Sequence, residues 1–273
     1  VLALGAYAVV LSRHVGAVAA GSDSSGYMNS ARLIASGHVH VHPRTIEGLP
    51  PSGMDAFLYT PLGFKPAPDG DGIVPTYPAG LSLLVLAMRP FAGWEHAGDA
   101  ALVLHALAGV AATFLLARLL GLGRLWSLYA AAAVGLSPLY LYMSVQAMSD
   151  IPSLAWTTLA VAAALQGRKS ARWALAAGFA LAIDVLLRPS NVLAFLPVGV
   201  ALGLSPRRWL LLALGGFPGA VFFMAHNERA YGSLLTTGYG DFSFAFGASY
   251  IHETLLHYVN WMPRLFTPAV IAA

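Results

Sequence analysis

The chain contains no cysteine, which excludes disulfides, thiolate nucleophiles and cysteine metal sites. Any chemistry must come from carboxylates, histidines, Lys and Arg, hydroxyls or the backbone. Charge is scarce as well: of 273 residues 10% are charged and 58% hydrophobic, with a mean hydropathy of +0.68. A soluble domain carries roughly 25% charged residues. Too few ionised groups are present to cover a water-facing surface, so most of the exterior must face lipid. Basic residues occur in twos and threes, and the lack of a basic block excludes a nucleic-acid surface despite a net charge of +3.

What the chain does have is apolar runs, at 1–11, 100–117, 125–145, 151–165, 173–187, 192–204, 209–225 and 265–273. The length allows about eight membrane-crossing helices of about 20 residues. Both ends fall inside apolar runs, the pattern of a piece of a longer protein, a single domain spanning 1–273. The short segments holding Arg118 and Arg124, Arg168, Lys169 and Arg172, and Arg207 and Arg208 contain no acidic residue, and the positive-inside rule assigns them to the cytoplasm. Alternate loops then face outward, the long ones being 22–78 and 226–263. Parity requires that 79–92, short and followed by Arg89-Pro90 near its end, be a re-entrant or interfacial helix. The fold expected is all-α: a polytopic transmembrane helix bundle with two extracytoplasmic loops carrying short amphipathic helices, one at 27–36.

Polar residues at the outer face are the candidates for chemistry. Asp23 precedes the 27–36 helix and Asp150 opens an apolar span, so each reads either as a helix cap or as a reactive carboxylate, and a shielded carboxylate suits a general base. Arg188, in Arg188-Pro189-Ser190-Asn191, lies at an outer helix start where free N–H groups and a guanidinium suit a phosphate. Asp184 is one turn before it on the same helix face, where it either neutralises Arg188 or serves a function of its own. Arg44 and Lys65 are further phosphate candidates in the outer loop. His38, His40 and His42 alternate and would share one face of an extended segment, as metal ligands do.

The ordered set Asp23-Ser24-Ser25-Gly26-Tyr27, Tyr77-Pro78-Ala79-Gly80, Met148-Ser149-Asp150-Ile151-Pro152, Arg188-Pro189-Ser190-Asn191 and Tyr231-Gly232-Ser233 through Tyr239-Gly240 resembles the GT-C membrane glycosyltransferases. The closest branch is the bacterial one similar to protein O-mannosyltransferases and aminoarabinose transferases. The chain departs from it at Ala79, where the family often has proline, and at Leu234, where it also often has proline. The resemblance implies an inverting transfer of a sugar from a polyprenyl-phosphate carrier to an acceptor hydroxyl of a lipid, glycan or protein, at the outer face of a bacterial inner membrane. It makes Asp23 the general base and Asp150 a second catalytic acid group or, with His42, a ligand of a divalent metal. Arg188, Arg44 and Lys65 would neutralise the leaving phosphate, and Tyr27, Asn191 and Tyr239 would contact substrate. The competing reading is a transporter or lipid flippase without covalent chemistry, for which Asp184 and the proline-interrupted helix starts are the evidence.

Overall fold

A computed structural model describes residues 2–16, 19–44, 59–240 and 247–265. Helices account for 74% of it and strands for 3%. The helices are α1 (Leu2–His14), α2 (Gly21–Ala35), α3 (Ala79–Leu119), α4 (Arg124–Gly135), α5 (Pro138–Ser144), α6 (Asp150–Gly167), α7 (Arg172–Leu187), α8 (Phe195–Leu202), α9 (Pro206–Tyr231) and α10 (Ile251–Leu265). Two strands, β1 (Phe64–Pro66) and β2 (Ile73–Pro75), pair antiparallel inside the first long loop. The chain is mostly helical, as expected, and this ribbon is a local exception: Gly70 and Gly72, both at positive φ, turn the chain so that Lys65 pairs with Val74.

Among the described residues two helices are long and apolar enough to cross a membrane, α3 and α9, and a third span arises if α4 and α5 are one bent crossing. The run at 125–145 breaks because Ser137 caps α5, accepting from the Tyr140 amide at 3.2 Å with Pro138 in the first turn, and the two halves meet at 61°. The run at 192–204 is not one helix either. It forms a 3-10 turn over Pro189–Ala194 followed by the eight residues of α8. The last run, 265–273, lies beyond the described residues after Leu265.

α3 is two helices joined at Gly93, whose φ of 67° and ψ of 175° interrupt the helical path. Ser82 Oγ donates to the Tyr27 carbonyl at 2.9 Å, while a side chain at Gly98 would run into Met28 Cε at 2.8 Å. Sixteen helical residues would separate those two positions by about 24 Å along a straight axis, yet they touch adjacent residues of α2. The arm 79–92 therefore doubles back at Gly93 instead of running straight into 94–119. Leu81 and Val85 of the arm, Ala97 and Ala101 after the bend, Tyr27 and Ala31 of α2 and Leu187 of α7 form one core cluster.

α7 packs between α6 and α9. A Cβ at Gly178 would collide with the Leu212 carbonyl and one at Gly215 with the Leu175 carbonyl, so these glycines bring the α7 and α9 backbones into direct contact, as small residues do where helices pack in membranes. Alanine-rich faces complete the core, with Ala160, Ala164, Ala174 and Ala177 fully buried. α6 spans 18 residues, about 27 Å, and charge segregates to its two ends. At one end Arg168 donates to the Val200 and Ala201 carbonyls and Arg208 to those of Leu202 and Arg168. The C-terminus of α6, the C-terminus of α8 and the N-terminus of α9 are tied together there by guanidiniums that cap exposed carbonyls. The acidic groups gather at the other end.

Candidate active site

Five segments converge at that other end: the first turns of α2, the chain after β2, the start of α6, the residue where α7 stops, and the chain after α9 that carries Tyr239. α7 stops at Arg188 because the next residue is proline, which forces Arg188 into an extended conformation (φ −144°, ψ 108°). Its side chain is thereby released from the helix face it would share with Asp184. It turns to α6, where Nη2 lies 2.7 Å from Asp150 Oδ1 and Nε donates to Ser149 Oγ at 3.0 Å. Of the two readings of Asp184, the geometry sets aside neutralisation of Arg188, whose ion pair is with Asp150. Asp184, fully buried, instead accepts from Ser153 Oγ (3.0 Å), Asn191 Nδ2 (2.6 Å) and Thr157 Oγ1. Neutral donors from two elements satisfy a carboxylate that the salt bridge leaves behind.

Asp23 sits in the first turn of α2, which begins at Gly21, six residues before the expected helix start. It is not a cap: the N-cap is Ala20, and the acidic side chain instead has the favourable position near the positive end of the helix. Beside it Tyr77 donates to Ser22 Oγ at 3.0 Å. The Tyr77 ring lies 5.3 Å from that of Tyr27, tilted by 40°, and edge-on at 5.9 Å to Tyr239. This packing requires Gly26, where a Cβ would meet Tyr77 Cδ2 at 2.6 Å.

Tyr27 connects the two charged groups. It is 2% exposed and donates to Ser149 Oγ at 3.2 Å, so the same hydroxyl oxygen that takes the Arg188 Nε–H takes the Tyr27 O–H. Burial pushes the Tyr27 phenol above its ordinary value, with its hydrogen bond to Ser149 and the Arg188 charge pulling it down and Asp23 pushing it up. Tyr239 is likewise raised, by burial first and then by Tyr27, with Arg188 opposing and Asp23 adding. Tyr77 is raised by burial and by its interaction with Asp23. A carboxylate and a guanidinium therefore act on the same pair of phenols with opposite sign, and all three phenols hold their protons at neutral pH.

Of the residues singled out in the sequence, the structure brings together Asp23, Tyr27, Asp150, Arg188 and Tyr239. Asn191 faces inward, its amide donating to Asp184 and to Ser153 Oγ behind the site. Lys65, on β1, lies 5.3 Å above the Tyr231 ring, where burial lowers its pKa. Arg44 lines a separate cleft on the face of α2 that carries Asn29 and Arg32. His42 is 3.9 Å from Asp71 with both side chains largely exposed. Asp150 and His42 share no contact, and among the described residues no three His, Asp or Glu side chains converge. A single carboxylate facing a guanidinium does not fit a divalent ion, although Asp150 Oδ2 is buried without a hydrogen-bond partner. Sequence reasoning missed Ser22, Tyr77 and Ser149 as functional side chains. Each is adjacent to a residue it did single out, or belongs to a motif it noted, but a serine beside an aspartate carries no signal of its own.

Comparison with protein-family models, with curated proteins and with solved structures gives no match, so the geometry of the site carries the functional argument.

Proposed function

We propose that this chain is a membrane-embedded glycosyltransferase of the GT-C type, moving a sugar from a polyprenyl-phosphate carrier to an acceptor hydroxyl. One observation carries the reading: Arg188, held by Asp150 and Ser149, shares the Ser149 hydroxyl with Tyr27, whose ring packs with Tyr77 and Tyr239 beside the first turn of α2 that carries Asp23. Mostly apolar helices around such a site suit a substrate with a long lipid tail.

In this reaction the Asp23 carboxylate takes the proton of the acceptor hydroxyl as its oxygen attacks the anomeric carbon. The bond from that carbon to the phosphate oxygen breaks on the opposite side, inverting the configuration, and its electron pair leaves with the polyprenyl phosphate. Arg188 stabilises the charge that develops on the phosphate. Its Nε and Nη2 are held by Ser149 and Asp150, which fixes the plane of the guanidinium before substrate arrives. Tyr239, 39% exposed, supplies an aromatic face to the sugar, while buried Tyr27 holds that face in place. The transporter reading leans on Asp184, and that carboxylate is already occupied by three neutral donors.

The test is reconstitution in proteoliposomes with a panel of radiolabelled polyprenyl-phosphate sugars. Release of polyprenyl phosphate together with a labelled, inverted product is the expected result. Counter-flow of labelled lipid or solute without any covalent product overturns the proposal in favour of transport.

A further inference from the structure

The bend of α3 creates a second polar site. Arg32 of α2 lies 5.8 Å from the centre of the Trp94 ring, just after the bend, and Arg89, four residues before Gly93, lies 4.7 Å from the same centre, so that α2 and the arm of α3 each bring a guanidinium to one indole. Two cations on one ring repel each other, and each gains only modest cation–π energy at an exposed position. Among the described residues neither guanidinium makes an ion pair with a carboxylate, and that of Arg32 donates only to the Asn29 side-chain oxygen at 3.5 Å. Next to the ring is a cleft of about 530 Å³ with two kinds of lining. Arg32, Glu95 and His96 are exposed, whereas Val85 and Leu102 are each 2% exposed. Polar groups thus form its mouth and apolar groups its floor. Asp99 also lines it, 3.5 Å from His96.

We propose that Arg32, Trp94 and Arg89 form the headgroup site of a zwitterionic aminophospholipid, with the phosphate on the two guanidiniums, the ammonium on Glu95, and an acyl chain along Val85 and Leu102. Tryptophan and arginine are the side chains that anchor proteins at the membrane–water interface, one end of each being apolar and the other wet. Phe91, 85% exposed and two residues from Gly93, gives the bend an apolar tip that suits burial among acyl chains. The mixture of charges selects the headgroup. A purely anionic lipid gains the two guanidiniums but meets Glu95 and Asp99, whereas an ethanolamine headgroup presents a positive group to that side. The site lies on the other side of α2 from Asp23 and stands independently of the transfer reaction.

The experiment is native mass spectrometry of the purified protein in detergent, titrated with equal amounts of phosphatidylethanolamine and phosphatidylglycerol. The wild type is expected to retain the ethanolamine lipid about tenfold more than the glycerol lipid, and the double variant Arg32→Ala/Arg89→Ala to lose about tenfold of that retention, on the scale of two charge-assisted contacts. Equal retention of the two lipids by the wild type, or undiminished retention by the double variant, overturns the site. Glu95→Gln, at an exposed position where folding is not at stake, is expected to narrow the preference toward the glycerol lipid, and an unchanged preference also overturns it. Asp23→Asn is expected to bind lipid as the wild type does, which separates failure of this site from failure of the transfer chemistry.

Discussion

Arg188 is paired with Asp150, 38 residues before it in sequence, and not with Asp184, one helical turn away. The extended backbone that Pro189 imposes on Arg188 turns the guanidinium off the α7 face, and α6 presents both an acceptor hydroxyl and a carboxylate to receive it. Replacing Arg188 by Ala leaves Asp150 without a counter-charge and removes the group proposed to face the leaving phosphate. A double-mutant cycle of Arg188→Ala and Asp150→Ala is expected to give a coupling of about 1–2 kcal/mol in thermal stability, intermediate between exposed and buried pairs. Turnover should fall about 100-fold or more in Arg188→Ala and be only partly restored by Lys, which cannot make the same two-point contact. Additive stability effects in the cycle would contradict the pairing.

Asp23→Asn removes the proposed base while keeping shape and helix position. Transfer is expected to drop between about 100- and 10,000-fold, with carrier binding and melting temperature nearly unchanged. Near-normal turnover in a steady-state assay would falsify the assignment.

Gly26 is where Tyr77 lies against α2. Gly26→Ala forces the ring off Tyr27 and, with it, away from Asp23 and Tyr239. Activity and stability should both fall, because the added Cβ presses on the Tyr77 ring and on the backbone of Gly63 as well. Gly26→Ala with full activity would mean that the aromatic wall has no part in the reaction.

Asp184→Asn tests the buried network. An amide has one acceptor oxygen where the carboxylate has two, and its NH₂ would meet a donor, so at least one of Ser153, Thr157 and Asn191 loses its partner. A loss of about 1–3 kcal/mol is expected from an unsatisfied buried group. Thermal melts in detergent read it directly, and a neutral result would mean that the three donors find other acceptors.

The raised phenols set a pH dependence. Tyr27, Tyr77 and Tyr239 have folded values above the unfolded value near 10, so the folded state keeps protons that the unfolded state loses. Their contribution to stability is complete below about pH 10 and is lost as pH rises through the raised values. Phenolate absorbance should therefore show that Tyr77→Phe removes a late-titrating group. Loss of one that ionises at the ordinary value would refute the burial of this ring.

Much of this arrangement was readable in the chain. The apolar runs mark the helices, and the proline after Arg188 marks the end of α7. The carboxylates Asp23 and Asp150 stand out because so little else is charged. The start of α2 was misplaced because Gly21-Ser22-Asp23-Ser24-Ser25-Gly26 has the composition of a turn, and only packing of its Ser24 and Gly26 face makes it helical. The β1–β2 ribbon was missed because each strand is three residues long, too short for an alternating pattern; it is held by Tyr231, whose hydroxyl donates to the Pro75 carbonyl at 2.9 Å.

The sequence by itself determined the solvent and the reactive inventory. With 10% charged residues and no cysteine, an apolar surrounding is expected, and any chemistry falls to carboxylates, histidines, Lys and Arg, hydroxyls or the backbone. Only the tertiary structure decided which of these meet. Tyr27 and Ser149 are 122 residues apart and Tyr77 and Ser22 are 55 apart, and no local periodicity links positions at such separations. They are joined because glycines at 26, 80, 178 and 215 let helices and the aromatic cap approach to backbone or ring contact, and because Gly93 folds the arm of α3 back onto α2. A positive φ or a missing Cβ acts on neighbours distant in the chain, so its consequence belongs to the fold and not to the local sequence.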